Sequence, residues 1–278
     1  MEIQIQRSCA SIAGQTICYL QAGSGHPLLL VHGLLGSSFC WRFNLPTLAQ
    51  RFTAFAIDLP GFGESATAPN GGCSMQAQAE HLLLWLEELG LRQVDVVASS
   101  WGGGVALFLA AQSPATVRSL VLAAPVNPWS EFGRERVSFF AGRLGGTLLR
   151  LGMPFSRAVH LTALQRMYGD PARISSGTLE GYSEIMLRKG RAHNITNTLR
   201  CWEKDLEAMP AAIRSVKAPT LLIWGTRDGA VDRSSAEVLM RKLPQCELAT
   251  IEGAGHLPFE ETPEEFNRLT LGFLDRFF

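Results

Sequence analysis

The feature that most constrains the fold is a series of short apolar runs that alternate with longer amphipathic stretches. The runs contain almost no polar residues, which is typical of parallel strands buried on both faces. Parallel strands need crossover connections, usually helices, so the pattern predicts a mostly parallel sheet with helices on both faces, an α/β fold. The predicted buried strands are residues 27–31, 53–57, 93–98, 119–124, 219–225 and 246–253.

Two earlier segments and one later stretch depart from this alternation. Residues 2–6 and 15–20 alternate apolar and polar residues, as expected of an antiparallel hairpin with one solvent face, and they complete an eight-stranded sheet. Residues 128–215 contain several helical patterns and no obvious strand. We therefore predict a core domain, residues 1–127 and 216–278, into which a helical cap of residues 128–215 is inserted.

Composition argues against several classes of partner. With 25 Lys and Arg against 25 Asp and Glu, the chain lacks the basic excess that phosphate contacts require, so no nucleic acid is expected. No apolar run approaches the roughly 20 residues of a membrane span, so no membrane partner is expected. The six cysteines are scattered without a CxxC pair, which predicts no metal site. Together with the absence of signal-peptide features, this predicts reduced cysteines and a cytoplasmic location.

The stretch "VVASSWGGGVAL", residues 96–107, reads as a buried strand, a tight turn and a helix. A serine hydroxyl is a weak nucleophile at neutral pH and needs a base, a group that orients the base, and donors for the oxyanion. Small residues lie two positions before and after Ser100, namely Ala98 and Gly102, which is the spacing of a nucleophile elbow. Ser99 is then the variable neighbour. The simpler alternative is that Ser100 only caps a helix.

Four further segments strengthen the elbow interpretation. They are "VHGLLGSS", "DLPGFGES", "LLIWGTRDGAVD" and "IEGAGHLPFEETPEEF". With the elbow, they make nearly the whole chain resemble the α/β-hydrolase fold family. The order of serine, aspartate and histidine along the chain is the order typical of that fold.

The resemblance implies a role for each matching residue. Ser100 would be the nucleophile, His256 the general base and acid, and Asp228 the group that orients the imidazole. The backbone N–H groups of Leu34 and Trp101 would form the oxyanion hole. The family most often has glycine at the position of Ala98, and we expect the extra methyl group to crowd the turn.

Other residues compete for these roles. Asp232 could supply the acid, although it could equally cap the following helix, and Asp228 is favoured because it follows the strand end closely. Among the other histidines, His26 is interpreted as structural, His32 as holding the oxyanion loop, and His81 as a solvated or boundary residue of its helix. His160 and His193 fall in the predicted cap, where either could contact substrate.

Large apolar residues are candidates for a substrate pocket. Most apolar residues of the predicted cap are expected to pack against the body, yet some should face the cleft. The same stretch has 13 Lys and Arg against 8 Asp and Glu, a charge excess that could attract an anionic substrate or simply be solvated. The candidate pocket residues are Trp101, Trp129, Phe132, Phe139, Phe140 and Leu257.

The resulting hypothesis is a cofactor-independent serine hydrolase, monomeric or homodimeric, that cleaves a small carboxylic ester with an apolar moiety through an acyl-enzyme intermediate. Carbon-carbon hydrolases of ring-fission products are the first alternative, because "EEFNRLTLGFLDRFF" resembles their C-terminal helix. They often have an aromatic residue where this chain has Leu257. Thioesterase, acyltransferase, lyase and non-catalytic receptor functions stay open. Dehalogenase and epoxide hydrolase activities are disfavoured, because those relatives have aspartate in place of Ser100.

Overall fold

A single sheet organises the molecule. The computed structural model describes residues 3–66, 72–152, 157–188 and 190–277. Its eight strands lie in the order β1-β2-β4-β3-β5-β6-β7-β8. The strands are β1 (Ile5–Ile12), β2 (Gln15–Ala22), β3 (His26–Val31), β4 (Phe52–Ile57), β5 (Val94–Ser99), β6 (Val117–Ala123), β7 (Thr220–Gly225) and β8 (Cys246–Ile251).

Only the β1/β2 and β2/β4 pairs are antiparallel, and the other five are parallel. Eleven α-helices belong to the described part of the chain. They are α1 (Leu45–Leu48), α2 (Met75–Glu88), α3 (Ser100–Gln112), α4 (Arg134–Ala141), α5 (Arg143–Gly152), α6 (Arg157–Met167), α7 (Thr178–Met186), α8 (Arg191–Ser215), α9 (Ser234–Lys242), α10 (Pro258–Glu261) and α11 (Pro263–Leu274). The predicted mostly parallel, eight-stranded α/β sheet is confirmed.

The β1/β2 hairpin differs from the prediction in two ways. Strand β1 begins at Ile5 and continues to Ile12, well beyond the apolar alternation of residues 2–6. Its length is set by pairing with β2 across a two-residue turn, Ala13 and Gly14, both at positive φ, as a tight hairpin requires. This register sets Cys9 opposite Cys18, and the two form a disulfide. The expectation that all cysteines are reduced is therefore wrong for this pair, and a disulfide does not favour the predicted cytoplasmic location.

The core lies on both faces of the parallel strands. Every residue of β5 and of β7 is buried, which explains their lack of polar alternation. Helix α2 contributes Leu82, Trp85 and Leu86 from one face, and the Trp85 ring packs edge-on against Tyr19 at 5.1 Å. Burying each such side chain contributes about 1.5–3 kcal/mol. The core thus fixes the sheet whose carboxyl edge carries the predicted functional loops.

Helices α4–α8 all lie between β6 and β7 in the chain, and the structure describes no strand among them. The longest, α8, packs against α3. It also contacts the start of α2, where Asp205 Oδ2 accepts a hydrogen bond of 2.9 Å from the Met75 backbone N–H. Among the described residues, none of the helices is both long and apolar enough to cross a membrane.

Candidate active site

The turn between β5 and α3 holds Ser100 in a conformation that few serines adopt. Its φ is +53°, in the left-handed region, where non-glycine residues are uncommon and strained. Glycine makes the turn possible, since a Cβ on Gly102 would lie 2.2 Å from the carbonyl oxygen of His32. The Ala98 methyl group is fully buried beneath the turn. The tight packing presents Ser100, which is partly exposed, at the carboxyl edge of the sheet.

Asp228 and His256 meet at the same edge. They follow β7 and β8, and His256 Nδ1 lies 2.9 Å from Asp228 Oδ2. The other carboxylate oxygen, Oδ1, accepts the backbone N–H groups of Ala230 at 2.8 Å and Val231 at 3.1 Å. Both side chains are almost completely buried. A carboxylate held in this way favours a proton on Nδ1 of His256, which leaves Nε2 as the nitrogen that can accept one.

The loop that carries His256 is held by the end of α6. The His256 backbone N–H donates to the Met167 carbonyl at 2.7 Å. The carboxylate of Glu261 accepts from the backbone N–H groups of Gly255 at 2.7 Å and Gly169 at 2.9 Å. Residues of the α4–α8 region therefore help to position the histidine loop, a contribution that sequence reasoning missed.

The loop after β3 passes directly beside Ser100. A Cβ added to Gly33 would lie 3.1 Å from Ser100 Cβ. His32 fixes this loop, because its Nδ1 donates to the Gly33 carbonyl at 2.7 Å while its Nε2 accepts the Leu59 backbone N–H at 3.1 Å. Complete burial lowers the pKa of His32, which agrees with a neutral ring in this arrangement. The following residue, Leu34, lines the same cavity as Ser100.

One cavity of about 270 Å³ joins these elements. Ser100, Leu34 and His256 line it on the sheet side, and mostly apolar side chains line the rest, as in many small-molecule sites. The apolar lining includes Val126, Val137, Ala163, Leu164, Met167, Tyr182, Met186, Trp202, Leu206, Val231 and Phe259.

The predicted pocket residues are divided between this cavity and other places. Phe132 and Leu257 line the cavity. The Trp101 ring is fully buried and packs against Phe62 at 5.5 Å. The other three also lie outside the lining: Trp129 and Phe140 pack against the core, and Phe139 is half-exposed.

The competing acid and histidines occupy different surroundings. Asp232 accepts hydrogen bonds from the N–H and hydroxyl of Ser234 at the start of α9. His160 lines the cavity with Nδ1 3.0 Å from Ser183 Oγ, whereas His193 is exposed and does not line it. His81 Nδ1 donates to the Ala77 carbonyl within α2. The contact with Asp228 thus distinguishes His256 from these.

A buried polar cluster behind the cavity was not predicted. The carboxylate of Glu260 accepts hydrogen bonds from the hydroxyls of Tyr182 and Tyr168 and is paired with Arg42 at 2.8 Å. Burial raises the pKa of Glu260 and of both tyrosines. Tyr182 belongs to α7 and lines the cavity, so this cluster joins the cavity wall to the segment just after His256.

No group of three His, Cys, Asp or Glu side chains in the described ranges is arranged so that it could hold a metal ion.

The sequence matches the family model of the alpha/beta hydrolase fold over residues 26–263. The chain belongs to this family. This protein is a hydrolase of that superfamily.

Individual relatives show how broad the family is. The chain is 30% identical over 272 residues to the dihydrolipoyllysine-residue acetyltransferase component of the acetoin cleaving system of Pseudomonas putida, covering 95% of this chain and 68% of that one. It superposes on an esterase from Thermogutta terrifontis with a TM-score of 0.82 at 24% identity, covering 98% of each chain. It superposes equally well on 2-hydroxy-6-oxo-6-phenylhexa-2,4-dienoate hydrolase from Rhodococcus sp., with a TM-score of 0.84 at 18% identity and 98% and 99% coverage.

Proposed function

We propose that this protein is a serine hydrolase that cleaves a carboxylic ester with an apolar moiety through an acyl-enzyme intermediate. The observation that carries the proposal is the convergence of the strained Ser100 turn and the His256–Asp228 pair on one apolar cavity. Strain of this kind persists where the surrounding structure enforces it, and it is concentrated at functional sites.

In the first half of the reaction, His256 Nε2 takes the proton of the Ser100 hydroxyl as Oγ attacks the ester carbonyl carbon. The carbonyl oxygen becomes an oxyanion that the backbone N–H groups of Leu34 and Trp101 stabilise. The first-turn N–H groups of α3 lack intrahelical partners and are suited to this role. The tetrahedral intermediate then expels the alcohol, which takes the proton from His256, and Ser100 is left acylated.

In the second half, water attacks the acyl carbon while His256 takes its proton. The second tetrahedral intermediate releases the carboxylic acid, and the proton returns to Ser100 Oγ. Asp228 takes no proton in either half; its Oδ2 faces His256 Nδ1 and its Oδ1 accepts two backbone N–H groups. It stabilises the imidazolium that forms in each half.

We further infer that residues 128–215 act as a cap over the site. Helices α4, α6, α7 and α8 each contribute side chains to the cavity lining that Ser100 and His256 share. Excluding water by apolar side chains strengthens the electrostatic stabilisation of the oxyanion. The small, apolar volume favours a short or flexible acyl or alcohol group.

Hydrolysis of p-nitrophenyl esters from acetate to laurate, together with labelling by a fluorophosphonate probe, tests the proposal. We expect wild-type protein to show activity and to be labelled, and Ser100→Ala to lose the label and at least about 10³-fold in rate. Ser99→Ala is the matched control, because the buried Ser99 hydroxyl has no hydrogen-bond partner among the described residues. Its activity should stay near that of wild type.

Different failures point to different functions. Full activity in folded Ser100→Ala would exclude this mechanism. A labelled wild type that ignores every ester, yet cleaves a 2-hydroxy-6-oxo-dienoate, would instead indicate carbon-carbon hydrolysis by the same residues. The esterase and dienoate hydrolase folds superpose on this chain equally well, so the fold does not choose between them. A folded wild type that is neither labelled nor active would indicate a ligand receptor.

A further inference from the structure

Helix α5 presents three of its four leucines to solvent. Leu144, Leu148 and Leu151 recur at i, i+4 and i+7, so they lie on one face of the helix. Their exposed fractions are 69%, 51% and 65%. Isolated exposed leucines are ordinary, but three on one face form an apolar strip that water covers unfavourably.

The inward face of α5 contains two buried glycines, Gly145 and Gly146, beside the partly buried Leu149. A Cβ added to Gly145 would lie 2.1 Å from the Phe139 carbonyl oxygen of α4, and one added to Gly146 would lie 2.8 Å from Thr196 Cγ2 of α8. The packing against α4 and α8 therefore requires these glycines on the inside. Rotating the helix to bury its leucines would bring bulky side chains into those contacts, so the outward leucine face is built into the packing.

Two exposed aromatic side chains lie in the segment that precedes α5. Phe139 of α4 is 49% exposed and its ring lies close to Gly145, beside α5. Phe132, just before α4, is 51% exposed and also lines the cavity that contains Ser100. Phe132 is thus both an exposed apolar residue just before α4 and part of the cavity lining.

The charged residues of α5 and α6 are all arginines, of which Arg157 is paired with Glu180 of α7. Residues 143–167 contain four arginines, Arg143, Arg150, Arg157 and Arg166, and no aspartate or glutamate. An exposed apolar face flanked by arginines is the composition of a helix that lies in the interface of an anionic membrane. A symmetric dimer through the same face would bring the arginines of two copies together, which is unfavourable.

We propose that the leucine face of α5, Leu144, Leu148 and Leu151, docks on the surface of an anionic phospholipid bilayer. The helix would lie in the plane of the interface with its leucines among the acyl chains and Arg143 and Arg150 near the phosphates. The expectation of no membrane partner rested on the lack of a spanning segment, which does not bear on interfacial binding. Delivery of an apolar ester past Phe132 is a consequence that rests on the proposed function; the docking itself does not.

Vesicle flotation tests the docking directly. Wild-type protein is mixed with vesicles of phosphatidylcholine alone or of phosphatidylcholine and phosphatidylglycerol at 7:3. We expect stronger binding to the anionic vesicles, and a loss of at least about tenfold in partitioning for Leu144→Ser/Leu148→Ser/Leu151→Ser. The matched control is Ile5→Ser/Leu84→Ser, which removes two apolar side chains, each 44% exposed, from β1 and α2 and should bind as wild type does.

A charge variant and a fold check complete the experiment. Arg143→Gln/Arg150→Gln should weaken binding to anionic vesicles by about tenfold at low salt. Leu144→Gln/Leu151→Gln replaces the triple variant should the latter fail to fold. All variants should hydrolyse a water-soluble ester at the wild-type rate, so a failed esterase proposal is distinguishable from failed docking.

Three results would overturn the inference: no wild-type binding to either vesicle, equal binding by the leucine variants and wild type, or a wild-type dimer that the leucine variants dissociate. The last result would assign this face to a second copy of the chain.

Discussion

Different groups make the contacts at the nucleophile turn and the contacts between the α4–α8 region and the sheet domain. At the turn, the close neighbours are backbone atoms: Gly102 lies against the carbonyl group of His32, and Gly33 lies near the Ser99 carbonyl oxygen. Over the sheet, buried polar side chains make the contact. For example, the Glu260 carboxylate accepts a hydrogen bond from the hydroxyl of Tyr182 in α7.

The two kinds of contact differ in what they tolerate. A backbone atom within 3 Å of the position that the Cβ of a substituted glycine would take leaves no room for a side chain. The free-energy cost of such a substitution is therefore steric and independent of pH. A buried carboxylate can be protonated, and its contribution to stability depends on its partners and on pH. Substitutions that add side-chain volume should therefore destabilise the turn, and substitutions that remove charge should destabilise the contact over the sheet.

The largest effect is expected from Gly102→Ala. The new methyl group would meet the His32 carbonyl oxygen at 2.2 Å and the Val31 carbonyl oxygen at 2.9 Å. Neither backbone atom can move without distorting β3, so we expect the free energy of unfolding to fall by more than about 3 kcal/mol. Denaturant unfolding monitored by circular dichroism measures this.

Gly272→Ala is the matched control for that variant. Gly272 lies in α11, and an added Cβ would meet nothing within 4 Å. Alanine favours a helix over glycine by up to about 1 kcal/mol, so this variant should be unchanged or more stable. Equal destabilisation of both variants would contradict the explanation that Gly102→Ala acts through a steric clash at the turn.

The turn could be predicted because all of its parts are close together in the sequence. A strand, two small residues around a serine and a helix are all local, so their pattern is present within twelve consecutive residues. The strands were predicted for the same reason. Both ends of β5 and of β7 lie within one residue of the predicted ends. Strand β1 was misplaced because cross-strand pairing, including Cys9 with Cys18, and not its own pattern, sets its length.

A smaller effect is expected from Glu260→Gln. The change removes the charge that pairs with Arg42 while keeping the size of the side chain. Breaking a buried ion pair leaves the partner charge uncompensated, so we expect a loss of about 2–3 kcal/mol in unfolding free energy. Thermal and denaturant unfolding should both show it, together with reduced ester turnover, because Tyr182 forms part of the cavity wall.

The exposed Glu264→Gln on the neighbouring helix α11 is the control, with an expected change within about 0.5 kcal/mol. A wild-type stability for Glu260→Gln would show that the carboxylate is already protonated in the folded protein. It would then act as a neutral hydrogen-bonding group, and the ion-pair description of this contact would be wrong.

This cluster was beyond the reach of sequence reasoning for a physical reason. Tyr182 and Tyr168 are 78 and 92 residues from Glu260 in the chain, so no local pattern joins them. The pocket candidates were hard to separate for the same reason. Trp129, Phe132 and Phe139 are all large and aromatic, and only the path of the chain before and through α4 decides which one faces the cavity. The outward leucines of α5 had the periodicity of a core-facing stripe, which does not specify whether the stripe is covered.

The smallest effect, and the one that depends on pH, concerns Asp205 of α8. Burial raises its pKa from 3.8 to about 6, although it accepts the Met75 N–H at the start of α2. The folded protein therefore holds a buried carboxylate above pH 6, at a cost that the unfolded chain does not bear. Below about pH 4 both states are protonated and the cost disappears, so this group makes stability fall as pH rises from 4 to 6.

Asp205→Asn tests that sign directly. The amide oxygen can still accept the Met75 N–H, but no charge is buried, so we expect the variant to be more stable than wild type by about 1–2 kcal/mol at pH 7.5. The difference should shrink toward pH 4. Unfolding free energies at several pH values measure it, and Glu207→Gln, an exposed position on the same helix, controls for net charge. A variant less stable than wild type at pH 7.5 would mean that the attraction between the Asp205 carboxylate and the amino end of α2 outweighs its desolvation.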